Sequence, residues 1–234
     1  MEESKDELMK ALEGVDWVNP RESFVRIAEI LMWKYAIKKG DKRYAIVEIE
    51  FYLYSKDHKD YITYPRTIKA GRWFFHQSGV DLTFESNEIS FGGILIRGLY
   101  KLHPITKDEE RYIFGPQKCV NELWDNFSAL EPSVEEYPII VPHENELNIV
   151  ECKRCINIKE ASRISKIKYW AERLNKKVLL DAEGYMKEMF ENEDTQLYRF
   201  FNLPDNEDPC TFKKIPYASR PKKVRKAGGQ LLPI

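Results

Sequence analysis

The chain has 234 residues, with 37 Lys+Arg against 38 Asp+Glu, a formal net charge of −1 and a pI near 6.5. That balance excludes a uniformly basic nucleic-acid binder, and 43% apolar with 13% aromatic residues excludes a disordered chain. No apolar run reaches the ~18 residues of a membrane span, Met1 to Gly14 lacks the apolar stretch of a signal peptide, and four cysteines are too few for a disulfide scaffold in a chain this long. The expectation is a cytoplasmic protein with one core.

Residues 6–12 read as a short acidic helix. Asn19 is a good N-cap and Pro20 suits the first helical position. Phe24, Ile27, Ala28, Leu31 and Ala36 then recur at helical spacing, predicting a second helix to Ile37, stopped by Gly40. A strand with period-two alternation follows: Ala45, Val47, Ile49, Phe51 and Leu53 on one face, Ile46, Glu48, Glu50, Tyr52 and Tyr54 on the other. Further strands are predicted over residues 72–76, 80–85, 94–99, 148–153 and 178–182, and helices over 116–127 and 160–174. Runs of strands without a regular βαβ rhythm predict an α+β fold. Residues 1–210 are read as one domain. From Asp181 to Asp208 there are nine acids and two bases, and from Thr211 to Ile234 seven bases and no acids. Residues 211–234 are read as a basic tail, poorly ordered in the free protein, whose Lys222, Lys223, Arg225 and Lys226 are candidates for contacting nucleic-acid phosphates.

Glu48, Glu50 and Tyr52 share one strand face, the two carboxylates ~7 Å apart along the strand. Lining a pocket, such a pair suits general-base chemistry; on an open sheet face it is a solvated surface. Arg97 stands alone in the apolar run Gly92 to Leu99 and needs a partner, for which Glu48 or Glu50 is the candidate. Their pairing is either structural or catalytic. Trp73, Phe74, Phe75 and His76 could sandwich a planar ligand such as a nucleobase, or be core. His58, in a turn, is a further ligand or acid candidate. Cys152 and Cys155 form an isolated C-x-x-C; with His143 or Cys210 as the further ligands required, no zinc site is expected. No Walker A loop, HExxH or dinucleotide fingerprint occurs.

Four of these segments stand in a recognisable order: Glu48-Ile49-Glu50-Phe51-Tyr52, the aromatic stretch from Gly71 to Phe84, Leu95-Ile96-Arg97, and Gly115-Pro116-Gln117-Lys118-Cys119. Together they resemble the 3-methyladenine (alkyladenine) DNA glycosylase family over Tyr44 to Leu123, about a third of the chain. The resemblance implies a single domain around a curved, mainly antiparallel sheet flanked by helices. It implies hydrolysis of the N-glycosidic bond of a damaged purine in DNA after base flipping, with no cofactor and no metal. Glu50 would activate water, Arg97 would orient Glu50, and Tyr52 would stack on the flipped base, with His58, His76, Phe74 and Phe75 as further pocket candidates. The Asn that places the water in the family falls on Asp81 or Glu85, and the Tyr-Gly step that wedges the duplex falls on Ser78-Gly79. Two alternatives stay open: a non-catalytic protein binding nucleic acid or a nucleotide through the same aromatics, and a hydrolase of another N-glycoside.

Overall fold

The computed structural model describes residues 2–60, 62–125, 137–146, 148–154, 197–203, 207–216, 219–222 and 224–226. Helices α1 (Glu2–Glu13) and α2 (Arg21–Lys34) lead into strands β1 (Tyr35–Lys39), β2 (Lys42–Tyr54), β3 (Trp73–His76), β4 (Gly79–Thr83), β5 (Phe91–Lys101) and β6 (Tyr112–Phe114). After α3 (Pro116–Leu123) come β7 (Ile139–Pro142), β8 (Ile149–Cys152), β9 (Arg199–Asn202) and β10 (Arg225–Lys226). The strands join in one antiparallel sheet in the order β10-β8-β9-β2-β5-β4-β3, with β1 also on β2, β7 on β1 and β6 on β5. The sheet curls into a half-barrel, and the fold is α+β.

β2 is the spine. One edge pairs along its length with β5; the other is shared in series by β1, opposite residues 42–45, and β9, opposite residues 48–50. One side of the sheet is closed by α1 and α2 over a core in which the Phe24 ring stacks on Phe51 at 4.4 Å and meets Tyr198 edge-on at 4.8 Å. A smaller apolar cluster on the other side joins Ala45, Val47, Phe114, Val150, Cys152 and Phe201 to Ile215.

The second helix ends earlier than its spacing predicts. Tyr35 to Lys39 forms a strand, turned back onto β2 by Gly40 at φ 54°. Tyr35, Ala36 and Ile37 are buried, and the β1 backbone is hydrogen-bonded to β2 and β7, which outweighs the local i, i+4 pattern. The carbonyls at the α2 end are taken by side chains: Asn145 Nδ2 donates to Met32 O and Tyr35 O at 3.0 and 2.9 Å, and Asn202 Nδ2 to Met32 O at 3.2 Å. Asn19 is not the cap. Pro20 occupies that position, and Asp16 Oδ1 accepts the Val18 and Asn19 amides.

The strand alternation holds along most of β2 and breaks at one level. Ile46 pairs with Leu99 and Ile49 with Ile96; between them Glu48 faces Gly98, while Val47 and Arg97 fall outside the register. The apolar face therefore changes parity: Tyr44 and Ile46 share the helix-side core with Ile49, Phe51 and Leu53, whereas Ala45 and Val47 join the opposite cluster. Strands near residues 72–76, 80–85, 94–99 and 148–153 form with shifted ends, and the helix from Pro116 ends at Leu123. The predicted elements at 160–174 and 178–182 lie outside the described residues, as does most of the acidic stretch.

Described parts of the basic tail pack on the domain. Ile215 is fully buried, the Phe212 ring meets Tyr112 edge-on at 4.9 Å, and β10 pairs with β8.

A Cβ on Gly98 would meet Glu48 Cβ at 2.7 Å and the Phe114 ring at 3.0 Å. Gly98→Ala is therefore expected to lower stability by about 1–3 kcal/mol through overpacking at this level, measured by urea unfolding; an unchanged midpoint would contradict it.

Candidate functional site

Glu50 is fully buried mid-strand, on the face opposite the helix-side core. Its Oε2 accepts from the Tyr52 hydroxyl at 2.7 Å and from Arg97 Nη1 at 3.2 Å. Glu48 Oε1 accepts from Arg97 Nε at 2.7 Å and from Arg199 Nε at 2.9 Å, and Arg199 Nη2 forms an ion pair with it at 2.8 Å. Arg199 Nε also lies 3.7 Å from Glu50 Oε1. Two carboxylates and two guanidiniums thus close a charge-balanced cluster among β2, β5 and β9. Register explains it: Glu50 sits between Leu95 and Arg199, and the break at Gly98 brings Arg97 between the two carboxylates. Burial works against the charge on Arg97, but Glu50 and Glu48 outweigh it, so its pKa lies well above the ordinary value; Arg199 is raised by the same opposition, with Glu48 leading. Burial and the neighbouring Glu50 push the Tyr52 hydroxyl well up.

Arg154 extends the cluster. Its Nη1 donates to Asp60 Oδ2 at 2.6 Å and to Phe51 O at 3.1 Å. Its guanidinium lies 4.8 Å from the Tyr52 ring centre and 5.3 Å from that of Tyr198. Arg154 thereby occupies one face of the ring that the family resemblance assigns to a flipped base. His58 is tied into the same corner: Nδ1 donates to Leu53 O at 2.9 Å, which leaves Nε2 to accept from the Tyr198 hydroxyl at 3.0 Å.

A second buried cluster lies on the same sheet face. Phe74, Asp81, Leu95, Glu50, Arg199 and Cys152 are successive partners across β3, β4, β5, β2, β9 and β8. Asp81 therefore stands two strands from Glu50, ~10 Å away. Its carboxylate lies 2.7 Å from Arg66 Nη1 and 2.9 Å from His76 Nε2. His76 Nδ1 accepts the Ser78 amide at 3.2 Å, so Nε2 carries the proton given to Asp81. Tyr64 stacks on His76 at 4.5 Å, and the Arg66 guanidinium sits 4.0 Å from the Phe74 ring centre. Burial pushes the Asp81 carboxyl up, but Arg66 and His76 outweigh it and hold it below its ordinary 3.8.

The aromatic segment is split by strand alternation. Phe74 and His76 face the Asp81 cluster, whereas the Trp73 and Phe75 rings meet Trp124 at 5.4 and 4.9 Å on the other side, and Trp73 Nε1 donates to Pro138 O. Trp73, Phe74, Phe75 and His76 therefore do not form a single wall. Glu85 is half-buried past the end of β4, accepting from Lys69 Nζ at 2.7 Å and the Ala70 amide at 2.9 Å, and is not joined to Glu50. Lys222 is exposed. Arg225 and Lys226 lie on β10, and Lys223 and Cys155 lie outside the described residues. Cys152 is buried, its thiol pushed up by burial. Among the described residues no group of three His, Cys, Asp or Glu could hold a metal.

Sequence reasoning missed Arg199, Arg154, Asp60 and Arg66. Arg199 carries the signal that singled out Arg97, one cation in an apolar run, Leu197-Tyr198-Arg199-Phe200-Phe201. Comparison with family models, with curated proteins and with solved structures finds no match.

Because Asp81 binds a proton less readily folded than unfolded, its contribution to stability is complete above its ordinary value. It is lost as the pH falls through the folded value. Wild-type unfolding free energy should therefore drop below about pH 4. Asp81→Asn, less stable at neutral pH, should lose less on acidification; identical pH profiles by denaturant titration would contradict the assignment.

Proposed function

We propose that the protein hydrolyses the N-glycosidic bond of an alkylated purine in DNA, with Glu50 as the general base that activates water. One observation carries the reading: the Glu50 carboxylate is buried and held at once by Arg97 Nη1 at 3.2 Å and the Tyr52 hydroxyl at 2.7 Å. These are the three residues to which the family resemblance assigns base, orienting cation and stacking aromatic. Glycosidic cleavage builds positive charge on the sugar, and a preorganised carboxylate in a water-poor site favours that charge. Arg97 fixes the rotamer of Glu50 and, with Arg199, balances the two carboxylates. The basic tail would supply the phosphate contacts that a chain of net charge −1 needs.

The placement of Arg154 against Tyr52 supports a second reading, a protein that binds nucleic acid or a nucleotide without cleaving it. Base release from methylated duplex and single-stranded DNA separates the two. Wild type should release methylated purine, and Glu50→Gln should release it about 10²–10⁴-fold more slowly, the range for losing a positioned base, while still binding DNA and melting cooperatively. No release by wild type, or equal release by Glu50→Gln, would overturn the hydrolase reading.

A further inference from the structure

β3 is the last strand of the sheet, and among the described residues nothing pairs with its outer edge. Register decides which backbone groups that edge offers. The Thr83 amide donates to Arg72 O at 3.0 Å, one step beyond the Trp73–Leu82 pair, so Arg72, Phe74 and His76 turn their backbone groups toward β4. Trp73 and Phe75 turn theirs outward, two N–H donors and two C=O acceptors in a row.

This edge lacks the usual protection. Exposed edges normally carry a charge or a proline that blocks further pairing. β10 is Arg225–Lys226 and β7 ends on Pro142, whereas Trp73, Phe74 and Phe75 are neither charged nor proline. The same strand bears exposed apolar surface. Phe75 is 51% exposed, its ring edge-on to Trp124 at 4.9 Å, and Trp73 meets the same Trp124 at 5.4 Å. Ile139, next to the Pro138 whose carbonyl accepts from Trp73 Nε1, is exposed to the same degree.

A second copy of the strand answers both features. In an antiparallel pair centred on Phe74, Trp73 stands opposite the partner's Phe75, and Phe75 opposite the partner's Trp73. Every outward donor and acceptor on both copies is then used. Residues directly opposite one another point to the same face, so each Phe75 ring lies beside the other copy's Trp73, a favourable aromatic cross-strand pair. The three central residues are uncharged, so self-pairing brings no like charges together there.

We infer that the outer edge of β3 pairs with β3 of a second copy of this chain, making a two-fold dimer with one continuous sheet. Four residues span ~13 Å, which places the contact at the small end of protein interfaces, so the dimer dissociates on dilution. Pairing at β3 involves no chemistry at Glu50, so it stands or falls apart from the hydrolase reading.

The test is sedimentation velocity of the full chain from low to high micromolar concentration. Wild type should pass from one chain mass to two. Phe75→Lys, at a half-exposed position, puts a cation on either side of the two-fold axis and should stay monomeric while still melting cooperatively. Phe74→Cys puts a thiol on the axis itself, at a pair not hydrogen-bonded to the partner, where the two Cα atoms lie about 4.5 Å apart and within reach of a disulfide. With oxidised glutathione it should form a covalent dimer that wild type, with its own cysteines, does not form. A wild-type chain monomeric at every concentration, a dimer that persists in folded Phe75→Lys, or no cross-link in folded Phe74→Cys would each overturn the proposal.

Discussion

Four ionised side chains cannot sit in the middle of a sheet unless they answer one another. Glu48, Glu50, Arg97 and Arg199 are all at least nine-tenths buried, and each has an opposite charge within 3.2 Å. Removing one partner leaves an uncompensated buried charge, a cost of about 3–5 kcal/mol. That constraint fixes the register of three strands. A one-residue slip of β9 would turn Arg199 toward the core around Phe24 and deliver Phe200 to the carboxylates. The break opposite Gly98 serves the same end, because it carries Arg97 to a level between Glu48 and Glu50 without disturbing the apolar ladder on either side.

The rest of the described chain is arranged around this layer. The helices bury one sheet face, so the charged face must be closed by connections and by the segment around Ser219. Arg154 and Asp60 close it beside Tyr52, Arg66 beside Asp81, and Ser219 O accepts from Arg199 Nη2 at 2.7 Å. Each cation meets an acid remote in sequence, as Arg154 meets Asp60 and Arg199 meets Glu48. Non-local pairing of this kind binds the curled sheet into one unit and holds its buried charges in fixed orientation.

Much of the layer was legible in the chain. The alternation from Ala45 to Leu53 marks β2, and the isolated Arg97 announces a buried partner, because both follow from local pattern and from the cost of a lone charge. What stayed hidden depends on register. The parity change at Glu48 needs two strands at once, and Val47 reads as belonging with Ile49 until the break is seen. Tyr35 to Lys39 reads as the last turn of a helix because its pairing with β2 and β7 is not a property of the segment. Arg199 is hidden for a different reason: nine acids between Asp181 and Asp208 dominate the surrounding stretch and mask the short apolar run on either side of it. Glu85 shows the limit of alignment by spacing, since its place past the end of β4 gives it to Lys69 and Ala70 rather than to the charged layer.

Interdependence of the buried charges is measured most directly by a double-mutant cycle on Glu48 and Arg199. Glu48→Gln, Arg199→Gln and the double variant would be unfolded in urea beside wild type. Were the cluster a single charge-balanced unit, the double variant would cost less than the sum of the single ones by about 1 kcal/mol or more, as coupled neighbours do. Additive losses would mean that the two residues act separately and that the layer is not the constraint on which the sheet depends.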